Sequence, residues 1–429
     1  MTNLFMTPMV ASARMVAQVW SSLYDAVAVG MYAYSRGAFR VRVVAPADER
    51  IEEGTLYIAA HRAETDVPLI CGSYYFAARV WRQAAPRLQF AARDDLFEPG
   101  FFAGFPPGQP RLVRRALHGV SIGQHLPRVK VYPISSATTM KLVQALAMIE
   151  AQTPIEEALS DEIIESMLAR AAELAKSRPT VVGDLQQADY VDLLWRDVVA
   201  ADLPSEPFRE AWARRAAAAT GDLRTVMDVI RSGEALLLFP EGRPSPDGAL
   251  GPLQRGMGAI LRRCKPQRLR VFGLAYDPLT MGRTNVVLTV RSTNSQPTGS
   301  DEPDLLPDLA RAIALTSGQV VSAALLAAAS RGRLDMAPTE LTAKLADAVA
   351  ESEEANRTID PILQERDTAR KALGDAVWAL ECRGLISVQG PRKLGLNLEA
   401  ITRDPVIGRL AAEHAAVRAE LVGEDRPRA

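Results

Sequence analysis

The chain has 429 residues with 48% apolar and 24% charged side chains, a globular balance with room for two or three domains. A net charge of −1 excludes a general polyanion binder, so no nucleic acid is expected as a partner. Three cysteines far apart in the chain, Cys71, Cys264 and Cys382, exclude a disulfide scaffold or a thiolate zinc site and fit a reducing cytoplasm.

Residues 1–46 read as an N-terminal helical segment. It lacks the basic opening of a secretory signal peptide. Its best apolar stretch, 16–34, is broken by Gln18, Ser21, Ser22 and Asp25, so no membrane span is expected there. Phe5, Met9, Val16, Trp20 and Leu23, with Arg14, Arg36, Arg40 and Arg42, leave two readings open. One is an interfacial helix lying on an anionic membrane surface, and the other is a helix covering the sheet of its own domain.

Six apolar runs follow that read as strands: 55–60, 88–92, 129–134, 235–239, 270–276 and 286–291. Helical patterns separate most of them. The expected fold is therefore α/β, a central mostly parallel or mixed sheet covered by helices, with a helical insert at about 137–232. Beyond residue 296 prolines and glycines mark a linker. Residues 297–429 read as a mainly helical C-terminal module, with a hairpin at 384–396 that gives it a winged-helix-like pattern.

Two strand ends carry the chemistry. His61 follows the 55–60 run, and Asp66 stands five residues on at an expected helix start. A carboxylate there can accept from one imidazole nitrogen and leave the other as a base. The 235–239 run ends in Phe239-Pro240-Glu241-Gly242-Arg243-Pro244-Ser245, a polar turn whose guanidinium suits phosphate oxygens. Gly119-Val120-Ser121-Ile122-Gly123 matches a serine-hydrolase pattern, but Arg111-Leu112-Val113-Arg114-Arg115 precedes it where a nucleophile elbow needs an apolar strand. The basic run Arg262, Arg263, Lys265, Arg268 and Arg270 reads either as an anion site or as a solvated helix face.

Together, His61 with Asp66 and the 239–245 turn resemble the motifs of the glycerolipid acyltransferase family, the glycerol-3-phosphate and 1-acylglycerol-3-phosphate acyltransferases. The 271–278 stretch is similar to the family's fourth motif, and 90–97 to its Lys-x-x-Leu stretch, with Arg93 in the lysine position. Two departures stand out. Arg243 follows Gly242 directly, without the usual intervening threonine, and the 129–135 stretch lacks the second motif's arginine.

The resemblance implies that residues 47–296 form an acyltransferase domain. In it His61 and Asp66 would be catalytic, and Glu241, Gly242, Arg243, Ser245 and Arg93 would serve substrate binding, with Arg255 a further anion-contact candidate. The implied reaction moves a fatty acyl chain from acyl-CoA or acyl-ACP to a hydroxyl of glycerol-3-phosphate or a lysophospholipid. It needs no cofactor and no metal. The partners implied are the acyl thioester donor, the phosphorylated acceptor and a membrane surface, with a cytoplasmic location peripheral on the inner face of the membrane. A catalytically inactive lipid-binding protein of the same fold is the alternative.

Overall fold

Strongly apolar runs too short for helices settle into buried strands. Leu56, Tyr57, Ile58 and Leu236, Leu237 are fully sequestered, which is the environment a parallel strand with both faces covered requires. The computed structural model describes residues 23–46, 49–76, 86–104, 110–173, 178–185, 190–203, 206–242, 244–245, 247–293 and 304–423. The chain divides into two compact units, one made of residues 1–88 with 230–429 and the other of residues 89–229.

The first unit opens with helix α1 (Leu23–Ala38) and strand β1 (Arg40–Val44). Strand β2 (Thr55–Ala59) and the short helix α2 (Asp66–Ile70) follow, then strand β3 (Leu236–Leu238), helix α3 (Arg255–Cys264), and strands β4 (Arg268–Asp277) and β5 (Asn285–Ser292). These strands lie in the order β1-β5-β4-β2-β3. The pairings β1 with β5, β4 with β2, and β2 with β3 are parallel, and β4 with β5 is antiparallel. The sheet is thus mixed and mostly parallel, as the alternation of runs predicts. β1 was not expected. Its alternating Arg-Val pattern lies inside the segment read as helical, and it forms the outer strand against β5.

Helix α1 lies against α2 and the polypeptide just after it. Ser35 donates to the carbonyl of Pro68 at 3.1 Å, and Tyr24 donates to that of Leu88 at 2.5 Å. Among the described residues this part of the N-terminal segment serves as cover for its own unit. Residues 1–22, which carry most of the interfacial-helix reading, lie outside the described residues.

The C-terminal part of the same unit is helical, with α4 (Leu306–Ala312), α5 (Ser317–Ser330), α6 (Pro338–Glu354), α7 (Arg366–Cys382), α8 (Leu398–Arg403) and α9 (Pro405–Val422). Three short strands, β6 (Asp335–Met336), β7 (Ile386–Val388) and β8 (Leu394–Leu396), form a small antiparallel sheet in the order β6-β8-β7. The 384–396 hairpin therefore forms, joined by a strand that the sequence pattern did not signal. Most of the linker expected after residue 296, residues 294–303, lies outside the described residues.

α5 is seated on the end of β4. Asp277, the last residue of β4, accepts from the backbone N–H of Gly318 at 2.8 Å and from the Ser317 hydroxyl at 3.1 Å. Complete burial nonetheless pushes its carboxyl up to about 6, against those bonds, which favour the ionised form. The sign follows from the unfolded value of 3.8. The folded state holds its proton more tightly, so this group favours folding most below pH 4, and its contribution is lost as pH rises through 6. Chemical denaturation of wild type and Asp277→Asn should give a stability difference that moves toward wild type by about 3 kcal/mol between pH 7 and pH 4. A difference that is flat with pH would show that Asp277 is ionised throughout.

The second unit has its own core, in which Leu142, Leu146, Ile155, Ile163, Met167, Leu185, Leu194 and Phe208 are buried. Strands Gln89–Arg93 and Val131–Ile134 pair in parallel. Asp222, on the long helix Glu206–Arg231, accepts from the backbone N–H and hydroxyl of Ser135 at 3.0 and 2.7 Å, just past the second of these strands. The expected insert is thus a folded body that also includes the strand pair.

Candidate active site

Parallel pairing aligns strand ends. Leu56, Tyr57 and Ile58 of β2 face Leu236, Leu237 and Leu238 of β3, so the chain leaves both strands at one edge of the sheet. His61 follows β2 and Phe239 follows β3, and their rings lie 4.4 Å apart between centroids. β4 flanks β2 on its other side, with Phe272 opposite Ala59. Four residues farther, Tyr276 reaches the turn between His61 and Asp66.

That turn is wrapped around one carboxylate. Asp66 is fully buried, and its Oδ2 lies 2.9 Å from His61 Nδ1. The same oxygen accepts from the backbone N–H groups of Arg62 at 2.6 Å and Ala63 at 3.0 Å. Its Oδ1 accepts from the Tyr276 hydroxyl at 2.6 Å. Four donors around one carboxylate satisfy its oxygens and offset the cost of burying it. Burial and the Asp66 carboxylate together hold the Tyr276 phenol well above its ordinary range, so it remains a donor.

With Nδ1–H donated to Asp66, the lone pair of the imidazole lies on Nε2. The His61 side chain keeps 10% of its surface exposed, so the ring is not sealed into the interior. Among the described residues no side chain is hydrogen-bonded to Nε2.

Glu241 joins the two loops. Its Oε1 accepts from His61 N–H at 3.3 Å and its Oε2 from Gly251 N–H at 3.2 Å. The Gln254 amide donates to the Glu241 carbonyl at 3.2 Å, and Ser245 N–H donates to the His61 carbonyl at 3.1 Å. Burial raises the Glu241 carboxyl, while the neighbouring Arg62 guanidinium works in the opposite direction. Gly242 turns with φ +74°, a conformation that costs a side-chain-bearing residue energy. The Ser245 hydroxyl donates to Asp247 at 2.7 Å.

A glutamine at Glu241 would turn an amide NH2 toward one of two backbone N–H donors. Glu241→Gln should therefore cost about 1–3 kcal/mol of stability, read as a lowered Tm. An unchanged Tm would show that the carboxylate does not hold these loops.

The expected site residues fall into three groups. His61, Asp66, Glu241, Gly242 and Ser245 come together at one sheet edge. Arg243 lies outside the described residues, as does the side chain of Arg255. Arg93 belongs to the second unit, where it pairs with Asp95. Ser121, also in that unit, follows helix Arg111–Leu117 rather than a strand, so the elbow that a nucleophilic serine needs is absent. Of the basic run, Arg262 and Arg263 end α3, whereas Arg268 and Arg270 begin β4 and pair with Glu52 and Glu49 at the far end of the sheet from His61. No group of side chains suited to holding a metal ion occurs among the described residues.

Sequence reasoning missed Tyr276 and Arg62. Tyr276 ends an expected strand, and the signal available was its place at the carboxyl end of that strand, where the loops converge. Arg62 read as a variable position, yet it is 1% exposed and donates to the carbonyls of Gly248 at 2.6 Å and Ala249 at 3.3 Å. Nothing local announces a buried arginine, since the type is nearly always on the surface.

No protein-family model matches the chain, and no curated protein matches it. Among solved structures, the chain is similar to the 1-acyl-sn-glycerophosphate (LPA) acyltransferase PlsC from Thermotoga maritima, at 12% sequence identity. The likeness covers 68% of this chain and 80% of that one, with a TM-score of 0.29. At that score it says nothing of this chain's chemistry, which rests on the geometry of the site itself.

Proposed function

We propose that the chain is an acyltransferase that moves a fatty acyl group from a thioester, acyl-CoA or acyl-ACP, to a hydroxyl of glycerol-3-phosphate or a lysophospholipid. The observation that carries this reading is the His61–Asp66 pair, with Nδ1 committed to a buried carboxylate and the ring beside the loop that follows Phe239.

Nε2 takes the proton of the acceptor hydroxyl as its oxygen attacks the thioester carbonyl carbon. Asp66 holds the ring and stabilises the imidazolium that forms. The carbon–sulfur bond breaks, and the thiolate leaves with the proton returned by Nε2. The products are an ester and a free thiol, with no covalent enzyme intermediate. General-base catalysis of this kind contributes about 100- to 10,000-fold. In this reading Arg243 grips the acceptor phosphate, Glu241 and Gly242 shape the loop that carries it, and Ser245 adds a further acceptor contact.

A lysophospholipid acceptor resides in a bilayer, so the enzyme works at a membrane surface. Among the described residues no helix is long and apolar enough to cross a membrane.

The test is a thiol-release assay on purified protein, with a long-chain acyl-CoA and glycerol-3-phosphate or lysophosphatidate as acceptors. Products are identified by mass spectrometry. One ester formed per thiol released is the expected result. Thiol release matched by free fatty acid would instead indicate a hydrolase. Binding of lipid vesicles without turnover of any donor, acyl-ACP included, would replace the reading with the inactive lipid-binding alternative.

A further inference from the structure

The last helix of the chain reaches the turn that holds His61. The Arg409 guanidinium, on α9, donates to the carbonyl oxygen of Arg62. That oxygen belongs to the Arg62–Ala63 peptide, whose N–H donates to Asp66 Oδ2 at 3.0 Å. A single peptide unit therefore has a cation at its oxygen and the Asp66 carboxylate at its N–H. Hydrogen bonds in such a chain polarise one another, so the cation makes the N–H a stronger donor to the carboxylate. The Arg409 charge also acts on the Tyr276 phenol, the other group that fixes Asp66.

The second loop is tied to the same helix. An added Cβ on Gly248 would lie 2.9 Å from the Arg409 carbonyl oxygen and 3.1 Å from the Glu413 Cβ. Glu413, 3% exposed, lies 3.9 Å from the Arg62 guanidinium. It also accepts from the Gln319 amide of α5 at 2.6 Å, and Gln319 in turn accepts from Arg357 at 2.9 Å. These residues form a buried polar chain that runs from the catalytic turn into the C-terminal helices. Side chains from distant segments meet the two loops at points where an apolar surface would have sufficed for stability alone.

We infer that Arg409 is a positioning residue for the His61–Asp66 pair, acting through the Arg62–Ala63 peptide, and that α9 is in this sense part of the catalytic apparatus. The inference rests on the acyl-transfer reading for its effect on rate, but its effect on His61 is measurable without any substrate.

The experiment uses the full chain labelled with 15N-histidine, with His61→Ala to assign the His61 imidazole resonances among the four histidines. Arg409→Met keeps the aliphatic stem and removes the donor, and Arg409→Lys keeps a cation. Arg409→Met should shift the His61 Nδ1 resonance and shorten the lifetime of its proton against exchange with water. It should lower kcat roughly threefold to thirtyfold with KM little changed, and Arg409→Lys should recover part of both effects.

An unchanged His61 resonance in Arg409→Met would overturn the inference. So would a kcat loss that Arg409→Lys leaves unrepaired. If Arg409→Met fails to fold, Arg409→Gln, which keeps a polar side chain and removes the charge at the Arg62 carbonyl, takes its place. The same shift at His61 supports the inference there, and its absence counts against it. A resonance shift in a protein that turns over no thioester would leave the positioning role standing while the acyl-transfer reading falls.

Discussion

His61→Ala is expected to lower kcat by about 100- to 10,000-fold with little change in Tm, because it removes the base from a ring that makes one side-chain hydrogen bond. Asp66 variants should separate two roles. In Asp66→Asn, the three donors that converge on Oδ2 select the side-chain orientation in which the amide oxygen faces them. The amide NH2 then faces Tyr276, whose hydroxyl oxygen can accept from it and turn its proton to Thr65, 2.9 Å away. The turn survives and the imidazole keeps its tautomer, but the charge that stabilises the imidazolium is gone. Exchanging a charge-assisted hydrogen bond for a neutral one costs about 1.5–3 kcal/mol, or roughly 10- to 100-fold in rate. Asp66→Ala instead leaves buried backbone donors without an acceptor and should lose stability as well as activity. Steady-state kinetics and thermal melts on the three variants check this ordering. Turnover by His61→Ala close to wild type would remove His61 from the mechanism.

Gly273→Ala should have the largest effect on stability. β4 runs so close to the end of α4 that an added Cβ would lie 2.0 Å from the Ala312 carbonyl oxygen and 2.7 Å from the Ile313 nitrogen. Both are backbone atoms, so no rotamer change relieves the clash, and the helix must move off the sheet. Ordinary overpacking costs about 1–3 kcal/mol, and a backbone obstruction at a buried position should reach or exceed the upper end of that range. Denaturant titration of Gly273→Ala should show a matching fall in midpoint. A stability equal to wild type would mean that α4 does not lie on β4 at this distance.

The strands were legible because they are short, apolar and mostly separated by helices. All six expected runs become strands with ends shifted by at most two residues, as Thr55–Ala59 for 55–60 and Arg268–Asp277 for 270–276 illustrate. β1 escaped because its valines alternate with arginines, the pattern of an edge with one face exposed, and because it directly follows a helix. Within the C-terminal helical module, α6 and α7 are separated by a loop and the short turn Pro361–Leu363. In the site, His61 and Asp66 were legible because they are five positions apart and bond locally. Glu241 was legible as part of a motif, though its carboxylate turns out to hold backbone N–H groups of both loops. Tyr276, Arg62 and Arg409 act across separations of 186 to 347 positions, and no local pattern encodes such partnerships.

The contact between α9 and the His61 turn spans 347 positions. At synthesis rates of about 5–20 residues per second, the histidine leaves the ribosome roughly 20–70 s before the arginine that steadies its loop. For that interval the nascent chain carries the base without its final support, and a transcript cut short before α9 would yield a protein with its motifs intact and its reactive geometry unfinished. The last support of the His61 turn is thus supplied only when translation is nearly complete.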